Sequence, residues 1–221
     1  VTVNVDRVMI HDIFIPFVAE KFEEMGFTKL WDPDKAVLIY DHLVPASQLD
    51  DTRHFHTGDA FAEKYGIGKV YADYNEMFTD PDVDVIYITT PHNTHLSFMK
   101  KAIENGKHIL VEKSITLNSD ELKEALALAE EKDVIVGEAM TIFHMPIYKK
   151  LNELLESGVL GKVNLITMNF GSFKEYNMSS RFFNRKLAGG AMLDIGVYAL
   201  SFIRWFMDSK PDQLLSQVKP A

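Results

Sequence analysis

A regular alternation of strand-like and helix-like segments between residues 82 and 140 most constrains the fold of this chain. Three segments rich in β-branched residues predict buried strands: "DVDVIYITT" (82–90), "HILVEK" (108–113) and "VIVGEAM" (134–140). The two segments between them, "PHNTHLSFMKKAIENG" and "NSDELKEALALAEEKD", have the apolar spacing of helices, with a glycine stop after the first and a capping box in the second. Because two helices separate three strands, the pattern indicates a parallel sheet with right-handed crossovers.

The predicted fold class is therefore α/β, with a partial doubly wound, Rossmann-like parallel sheet followed by a truncated α+β domain. The second part begins near residue 144, where the pattern changes. There "MPIYKKLNELLESG" predicts a helix, "VNLITMNFGSF" (163–173) predicts a half-exposed strand, and "GGAMLDIGVYALSFIRWFM" predicts a long apolar helix. In doubly wound sheets, ligands bind at the carboxyl ends of the strands. The residues at those ends are Thr90, Pro91, His92, Asn93, Glu112, Lys113 and Glu138.

The composition excludes several kinds of function. The chain has no cysteine, which excludes disulfides, thiolate nucleophiles and any zinc or iron–sulfur site held by its own thiolates. Its formal net charge is −9, so we expect no nucleic-acid partner and no binding to an anionic membrane. No apolar run approaches the roughly 20 residues of a membrane span, and no signal peptide is recognisable. The expected location is the cytoplasm.

Lys113 comes at the predicted end of the second strand, beside Glu112. One interpretation is a solvated lysine, as at most strand ends. The other is a cation that polarises a carbonyl group or passes a proton, with the Glu112 carboxylate fixing the amine by charge pairing. The local sequence leaves both open.

Asp194 and Tyr198 are four residues apart in the predicted apolar helix, so they share one face of it. A buried tyrosine bonded to a local carboxylate explains the pair structurally, since unpaired burial of a polar group costs about 1–3 kcal/mol. The functional interpretation makes Tyr198 a proton donor or acceptor and Asp194 a group that positions a substrate or an amine.

The segment "TPHNTH" (90–95) begins the first predicted helix directly after a strand. It is either an ordinary strand-to-helix turn or a binding turn, in which His92, Asn93 and His95 hydrogen-bond a ribose or an amide. No metal site is predicted, because these histidines lack a nearby carboxylate pair and because the region of His54 and His56 reads as a loop. The other two histidines weighed for a metal are His11 and His42.

Residues from about 60 to 221 resemble the Gfo/Idh/MocA oxidoreductases. The resemblance rests on "AEKYGIGKVYADYNEMFTDPDVDVIYITTPHNTH", "HILVEKS" and "GKVNLITMNFG…GGAMLDIGVYALSFIRWF", although Ser114 stands where the family motif usually has proline. It implies an NAD- or NADP-dependent enzyme acting on a sugar, polyol or diol, with Lys113 as the catalytic lysine and Tyr198 as its proton-handling partner. A homodimer is possible in such a family. With the strand-end positions, the predicted cofactor-binding set is Thr90, Pro91, Asn93, His95, Glu112 and Lys113.

The front of the chain departs from that family. No G-x-G-x-x-G turn is present, so the family's first strand and pyrophosphate turn are expected to be missing, together with its second strand. The segment "AVLIY" (36–40) is predicted to join the sheet where a missing strand belongs.

Residues 1–57 instead resemble the large subunit of aconitase and 3-isopropylmalate dehydratase, whose active site lies near pairs such as His11-Asp12 and Asp41-His42. The expected organisation is an aconitase-like head at 1–57, a partial dinucleotide-binding domain at 58–140 and a truncated substrate domain at 141–221. Two alternatives to an active oxidoreductase follow. One is a non-catalytic fusion lacking the glycine-rich turn. The other is a hydro-lyase, which the absence of cluster-binding cysteines disfavours.

Overall fold

A computed structural model of the chain describes residues 8–11, 36–39, 62–64, 66–171, 173–207 and 210–217, with only the backbone described at 8–11 and 36–39. The chain divides into two compact units, Val1–Ala139 and Met140–Ala221. Each unit is described by itself below.

The first unit alternates strands and helices as the sequence predicts. Its elements are β1 (Val8–His11), β2 (Ala36–Ile39), β3 (Lys69–Tyr71), α1 (Tyr74–Thr79), β4 (Val85–Ile88), a 3₁₀ turn (His92–Thr94), α2 (His95–Glu104), β5 (His108–Val111), α3 (Ser119–Glu131) and β6 (Val136–Glu138). The elements of the second unit are a 3₁₀ turn (Thr141–His144), α4 (Pro146–Glu156), a 3₁₀ turn (Arg185–Leu187), a π-helical segment (Met192–Gly196) and α5 (Val197–Phe206).

All strands of the first unit run parallel. Strands β1, β2 and β3 form one three-stranded sheet and β4, β5 and β6 form another. Because β1 also lies beside β4, the strands follow the order 3-2-1-4-5-6. This is the strand order of doubly wound dinucleotide-binding folds, in which the chain changes direction between β1 and β4 and leaves a crevice at that point. The predicted α/β class with a parallel, Rossmann-like sheet is confirmed.

The front two strands of the sheet are present, and this corrects one expectation. The segment "AVLIY" does join the sheet, as predicted: β2 lies between β1 and β3, with Leu38 opposite Val70. The position expected to be empty is that of the first strand, and Val8–His11 fills it, with Ile10 opposite Leu38. The sequence did not predict this strand, because it has only four residues and lacks the glycine-rich turn that normally marks it. The segment "IFIPFVAEKFEEMGF" (13–27), whose sequence predicts a helix, lies outside the described residues.

Helices α2 and α3 begin and end at the signals in their sequences. Gly106, with φ of +72°, ends α2 in a conformation that glycine adopts without strain. At the start of α3, the Asn118 side chain accepts hydrogen bonds from the amides of Asp120 and Glu121, while the Glu121 carboxylate accepts from the Leu117 amide at 3.0 Å. The predicted capping box is confirmed, with the reciprocal bond made to Leu117.

The hydrophobic core of the first unit lies between the sheet and these helices. The predicted apolar face of α2 is confirmed, since its residues Met99, Ala102 and Ile103 are fully buried in the hydrophobic core. They pack in one cluster with sheet residues such as Ile86 and Val111. Each large apolar side chain buried in this way contributes about 1.5–3 kcal/mol to folding. The core therefore holds β4, β5 and the helix after β4 in fixed relative positions.

The second unit is held together mainly by aromatic rings. Helix α4 begins at Pro146 and is followed by Gly158 with φ of +74°, as predicted. The Tyr148 ring of α4 stacks on that of Trp205 in α5, with centroids 5.8 Å apart. Further ring contacts within this cluster involve Phe143, Phe202 and Phe206. Among the described residues after Ile142, none is fully buried.

The strand predicted at 163–173 is wrong. No strand occurs in the described part of the second unit, and Leu165 and Phe173 are 80% and 94% exposed. The alternating pattern alone does not make a strand, since a strand without partners leaves its backbone groups unpaired within the fold. The expectation that no apolar run approaches the length of a membrane span is corrected: within the described residues, Arg185–Phe206 is long and apolar enough, by length and composition only. The stretch is not one regular helix, because Ala188 and Gly190, between the 3₁₀ turn and the π-helical segment, have positive φ. The core helix of a soluble protein meets the same two criteria.

Candidate active site

The backbone that follows β5, residues 112–116, forms a turn that we call the Lys113 turn. The Glu112 amide still donates to the Ile88 carbonyl of β4 at 2.8 Å, so the ladder of the sheet runs up to the residue before Lys113. The Lys113 side chain is half-buried. The structure thus places this lysine at the carboxyl edge of the sheet, where doubly wound folds bind their ligands.

Two histidines from the segment after β4 contact the Lys113 turn. The Nε2 atom of His92 lies 2.9 Å from the carbonyl oxygen of Lys113 itself. The Nδ1 atom of His95 lies 2.9 Å from the carbonyl oxygen of Ser114 and 3.3 Å from that of Ile115. On its other side, His95 Nε2 lies 2.7 Å from the carbonyl oxygen of Thr90. The His95 ring therefore bridges the ends of β4 and β5.

Burial dominates the electrostatics of His95. Its side chain is 0% exposed, and this burial lowers the pKa of the imidazole below its usual 6.5, since a charged ring is disfavoured away from water. The carbonyl oxygens of Thr90, Ser114 and Ile115 oppose this lowering, as does the negative charge of Glu112. The ring is thus a buried group whose contacts are with backbone.

Two carboxylates complete the surroundings of the turn. Glu112 accepts hydrogen bonds from the Tyr87 hydroxyl and from the Lys113 amide, the latter at 3.3 Å. These bonds fix the carboxylate against β4 and the backbone of the turn. Glu138, at the end of β6, accepts from the Ile115 amide at 2.9 Å. Glu138 was recognised in the sequence only as a strand-end residue, and its carboxyl-edge position was the signal for a role here.

The predicted cofactor-binding residues divide into accessible and inaccessible ones. Asn93 is exposed, whereas Thr90, Glu112 and Lys113 are half-buried. Pro91 and His95 are buried, and both ring nitrogens of His95 are engaged by carbonyl oxygens. The expectation that His95 hydrogen-bonds a ribose or amide directly is therefore corrected, because the ring has no exposed surface to offer one. Its contacts assign it to the support of the Lys113 turn.

Thr89 is a further polar residue at this edge that sequence reasoning missed. It directly follows β4, and its hydroxyl oxygen is buried without a hydrogen-bond partner among the described residues. An unsatisfied buried hydroxyl costs about 1–3 kcal/mol. Because the atom is inaccessible, it is closed to a ligand in this arrangement, as the His95 ring is. The two adjacent threonines at a strand end were the available signal.

Asp194 and Tyr198 lie in the second unit, across the junction of the π-helical segment and α5. Asp194 belongs to the π-helical turn Met192–Gly196 and Tyr198 to the first turn of α5, and both are half-buried. The Tyr198 ring makes an edge contact with Phe170, with centroids 6.1 Å apart. Single π-helical turns occur frequently at functional sites. The sequence predicted the helix but not this local widening.

Two adjacent glycines hold the start of that π-helical segment. A Cβ atom on Gly189 would lie 2.4 Å from the carbonyl oxygen of Arg181 and within 3 Å of the backbone of Asn184. Gly190 has φ of +127°, a conformation that side chains other than glycine rarely adopt. Gly189 is therefore required by close backbone approach and Gly190 by its backbone conformation, and the pair directly precedes the segment that carries Asp194.

Asp194 also lines a cavity of about 330 Å³ within the second unit. Three phenylalanines form much of its wall, together with a lysine whose amine lies 4.2 Å from the centre of one of these rings. The residues that line the cavity include Phe173, Lys174, Phe182, Phe183 and Asp194. One of these phenylalanines, Phe173, is 94% exposed, so the cavity is open to solvent, and it carries both the Lys174 amine and the Asp194 carboxylate.

Metal binding finds no support in the part of the chain that the structure describes. There, no group of three or more histidine, aspartate or glutamate side chains is arranged to hold an ion. The side chains of His11, His42, His54 and His56 lie outside the described residues.

Comparison with known proteins identifies the lineage. A family model described as the NAD-binding Rossmann fold of the GFO/IDH/MocA oxidoreductases matches residues 51–140, and the model of the family's C-terminal domain matches residues 148–220. The chain belongs to the Gfo/Idh/MocA oxidoreductase family. The family assignment made from the sequence is confirmed for this part of the chain, whereas the aconitase-like character of residues 1–57 stays a prediction.

Curated relatives of this Gfo/Idh/MocA chain include two kinds of dehydrogenase. Trans-1,2-dihydrobenzene-1,2-diol dehydrogenase of Xenopus tropicalis is 33% identical over 178 residues, covering 80% of this chain and 52% of the relative. D-xylose 1-dehydrogenase (NADP(+)) of Hypocrea jecorina is 33% identical over 143 residues, covering 61% of this chain and 37% of the relative. The chain thus spans about half the length, or less, of the curated relatives that it matches.

Solved structures show the same fold. KijD10, a 3-ketoreductase from Actinomadura kijaniata in complex with NADP and TDP-benzene, aligns with a TM-score of 0.65 at 21% identity, covering 92% of this chain and 57% of KijD10. A levoglucosan dehydrogenase in complex with NADH and levoglucosan aligns with a TM-score of 0.64 at 20% identity, covering 90% of this chain and 54% of that chain. Both likenesses establish the fold.

Proposed function

We propose that the chain carries the cofactor-side and proton-handling groups of an NAD- or NADP-dependent oxidoreductase. The reaction is hydride transfer between a nicotinamide and a carbinol carbon of a sugar, polyol or diol. The observation that carries the proposal is the placement of Lys113 at the carboxyl edge of a doubly wound sheet in a unit of the Gfo/Idh/MocA family. In that fold the carboxyl edge is where dinucleotides bind.

The residues at this edge fit a nicotinamide cofactor. Asn93 is exposed, and Lys113 is half-buried. These residues, with Thr90 and Glu112, would hold the cofactor's amide and ribose. The pyrophosphate end differs, because the sequence after β1 has no glycine before Gly26 and cannot form the usual tight cradle. We therefore expect weaker cofactor binding than a glycine-rich turn provides.

The chemistry divides between the cofactor and the side chains. When bound, the nicotinamide supplies the hydride acceptor for alcohol oxidation, or the hydride donor for the reverse reaction. In carbonyl reduction the carbon gains a hydride and the Tyr198 hydroxyl donates a proton to the oxygen, which leaves a phenolate. In oxidation the substrate loses a hydride from carbon, and the Tyr198 phenolate takes up the proton of its hydroxyl group. The Lys113 ammonium favours the developing negative charge on the oxygen, which lowers the energy of the proton transfer. Asp194 positions the substrate through its hydroxyl groups.

The substrate class is supported by the relatives and by the cavity beside Asp194. One relative is named for a dihydrobenzene diol and another for D-xylose, and both are rings or chains that carry neighbouring hydroxyl groups. The Asp194 carboxylate, which lines an open cavity together with phenylalanine rings and Lys174, can accept hydrogen bonds from such hydroxyls. A cytoplasmic location and a homodimer are parts of the proposal that follow from the family only.

Steady-state assays test the proposal. The full chain is incubated with NAD⁺ or NADP⁺ and either D-xylose or trans-1,2-dihydrobenzene-1,2-diol, and the absorbance of the reduced nicotinamide is followed. We expect turnover that Lys113→Ala abolishes, because the variant loses the cation next to the reacting oxygen. The control is Lys123→Ala, which removes a 75%-exposed lysine paired with Asp120 on α3. Equal loss in both variants contradicts the role of Lys113.

The alternative is a non-catalytic chain, and one observation favours it. The glycine-rich turn that cradles the pyrophosphate in this fold is absent from the sequence. Under this alternative the sheet folds but no nicotinamide cofactor binds at millimolar concentration. A titration with NADH and NADPH, followed by nicotinamide fluorescence, distinguishes the two.

A further inference from the structure

Three side chains from the segments that follow the neighbouring strands make hydrogen-bond contacts with the backbone of the Lys113 turn. We infer that His95, with His92 and Glu138, is a positioning residue that holds Lys113 in place. This inference rests on the proposed function only where it concerns catalysis. None of the three side chains needs to touch a substrate or a cofactor to act in this way.

The contacts cover three consecutive residues. His92 Nε2 is 2.9 Å from the Lys113 carbonyl, His95 Nδ1 is 2.9 Å from the Ser114 carbonyl, and the Ile115 amide donates to Glu138 at 2.9 Å. His92 and His95 come from the segment after β4 and Glu138 from the end of β6. The turn after the central strand is thereby tied to the strand on each side of it.

His95 is the central member of the three because it also binds the strand end on its own side. Its Nε2 atom lies 2.7 Å from the Thr90 carbonyl, while Nδ1 faces Ser114. Carbonyl oxygens only accept hydrogen bonds, and a neutral imidazole carries one N–H group. A neutral ring therefore donates a hydrogen bond to only one of the two carbonyl oxygens, that of Thr90 or that of Ser114. Only the charged ring donates to both. Both ring nitrogens of this buried histidine thus face backbone carbonyl oxygens, one at the end of β4 and one in the Lys113 turn.

Precise placement matters for a lysine with this proposed role. The Lys113 side chain is only half-buried, so its surroundings restrict it less than a core residue. The position of its Cα is fixed instead by the backbone around it. In enzymes, a displacement of about 1 Å in a reacting group can cost roughly 100-fold in rate. Loosening the turn should therefore lower kcat by a larger factor than it lowers cofactor affinity.

Three substitutions of His95 separate the two halves of the contact. An asparagine amide occupies the position of Nδ1 and can keep the Ser114 bond, whereas a glutamine amide occupies that of Nε2 and keeps the Thr90 bond. Leucine keeps neither. The matched control is His108→Gln, which removes a half-buried histidine whose Nδ1 accepts from the Ile135 amide, away from the Lys113 turn.

Hydrogen exchange followed by mass spectrometry gives a readout that does not depend on activity. The peptide covering 112–117 contains the Lys113 turn, and the peptide covering α3 (119–131) reports on the general fold. We expect His95→Gln and His95→Leu to speed exchange in 112–117 at least about 10-fold, His95→Asn to speed it less, and His108→Gln to leave it unchanged, with α3 unaffected throughout. Unchanged exchange at 112–117 in the glutamine and leucine variants overturns the inference.

A second variant covers the case in which the His95 substitutions do not fold. Glu138→Ala removes the grip on the Ile115 amide from the opposite side, at a half-buried position on β6. Faster exchange at 112–117, with α3 unchanged, supports the inference, and wild-type exchange rates contradict it. If the turn loosens as expected but Lys113→Ala leaves turnover intact, the positioning inference stands and the proposed function fails, so the two are separable.

Discussion

The imidazole of His95 and the carbonyl oxygen of Ser114 lie 2.9 Å apart at the carboxyl edge of the sheet. The two residues are 19 positions apart in the sequence, and their contact joins the end of β4 to the turn that presents Lys113.

The first prediction concerns the proposed proton donor. Tyr198→Phe removes only a hydroxyl group, so we expect turnover to fall by a factor of about 10²–10⁴, the usual contribution of a positioned acid or base. Cofactor affinity should not change, because the ring remains. Tyr176→Phe, which alters a 60%-exposed tyrosine of the same unit, is the control. Full activity in the Tyr198 variant would remove this residue from the mechanism.

A second prediction concerns pH and His95. Since burial lowers the pKa of this imidazole below 6.5, the unfolded chain takes up a proton at a higher pH than the folded chain does. The contribution of His95 to stability is therefore fully present above about pH 6.5 and is lost as the pH drops from there through the lowered pKa. Unfolding in urea at several pH values measures this slope.

His95→Asn should weaken that slope, because asparagine does not titrate. The neighbouring charge of Glu112 favours the protonated ring, so it reduces the effect without changing its sign. An unchanged slope in the variant would assign the pH dependence to other groups.

The third prediction concerns Asp80, a buried carboxylate away from the Lys113 turn. It accepts hydrogen bonds from the Lys69 amine, the Tyr71 hydroxyl and, at 2.8 Å, the Asp82 amide. The Lys69 amine is the largest cause and the Tyr71 hydroxyl the next, and together they hold the pKa of Asp80 well below its usual 3.8. Its contribution to stability is present above about pH 3.8 and is lost as the pH falls below that value.

Asp80→Ala should therefore destabilise the first unit at neutral pH and have a smaller effect in strong acid. Loss of the acceptor for the buried Tyr71 hydroxyl alone costs about 1–3 kcal/mol. Circular dichroism during thermal unfolding measures the change, with Asp120→Ala, whose side chain is 88% exposed, as the control. Equal unfolding temperatures for the two variants would show that the Asp80 cluster contributes nothing to stability.

A fourth prediction concerns the glycine pair before Asp194. In Gly189→Ala the new methyl group would lie 2.4 Å from the Arg181 carbonyl oxygen, so the backbone must shift. Overpacking of this kind costs about 1–3 kcal/mol. We expect a weaker near-ultraviolet circular dichroism signal from the aromatic rings and faster proteolysis of the second unit. Gly171→Ala, where no atom lies within 4 Å of the added methyl group, should behave like the wild type. Identical signals in both variants would show that the close approach at Gly189 is not required.

The parts of the fold that were predictable are those in which local pattern and tertiary role agree. The β-branched segments at 85–88 and 108–111 form β4 and β5. As expected, Gly106 ends α2 and Asn118 begins α3. Strand β1 was not predictable, because four residues without a glycine-rich turn carry little signal. The segment 163–173 was predicted as a strand because alternation suggests one, although strand formation requires a partner.

The candidate site was predictable in position but not in contacts. The rule that ligands bind at carboxyl ends of parallel strands located Lys113 and Glu112. It could not show that His95 would be fully buried, since that depends on contacts with residues 19 and 20 positions away. Nor could it show that the Thr89 hydroxyl lacks a partner among the described residues. Both facts come from packing between elements that are distant in the sequence.

The most direct test of the account is a titration of the full chain with NADH and NADPH, followed by nicotinamide fluorescence. We predict saturable binding by the wild type and by Lys123→Ala, and a loss of at least about 10-fold in affinity for Lys113→Ala, because the lysine lies at the edge where the nicotinamide binds. The account is contradicted if the wild type shows no saturable binding at millimolar cofactor, or if Lys113→Ala binds as tightly as Lys123→Ala.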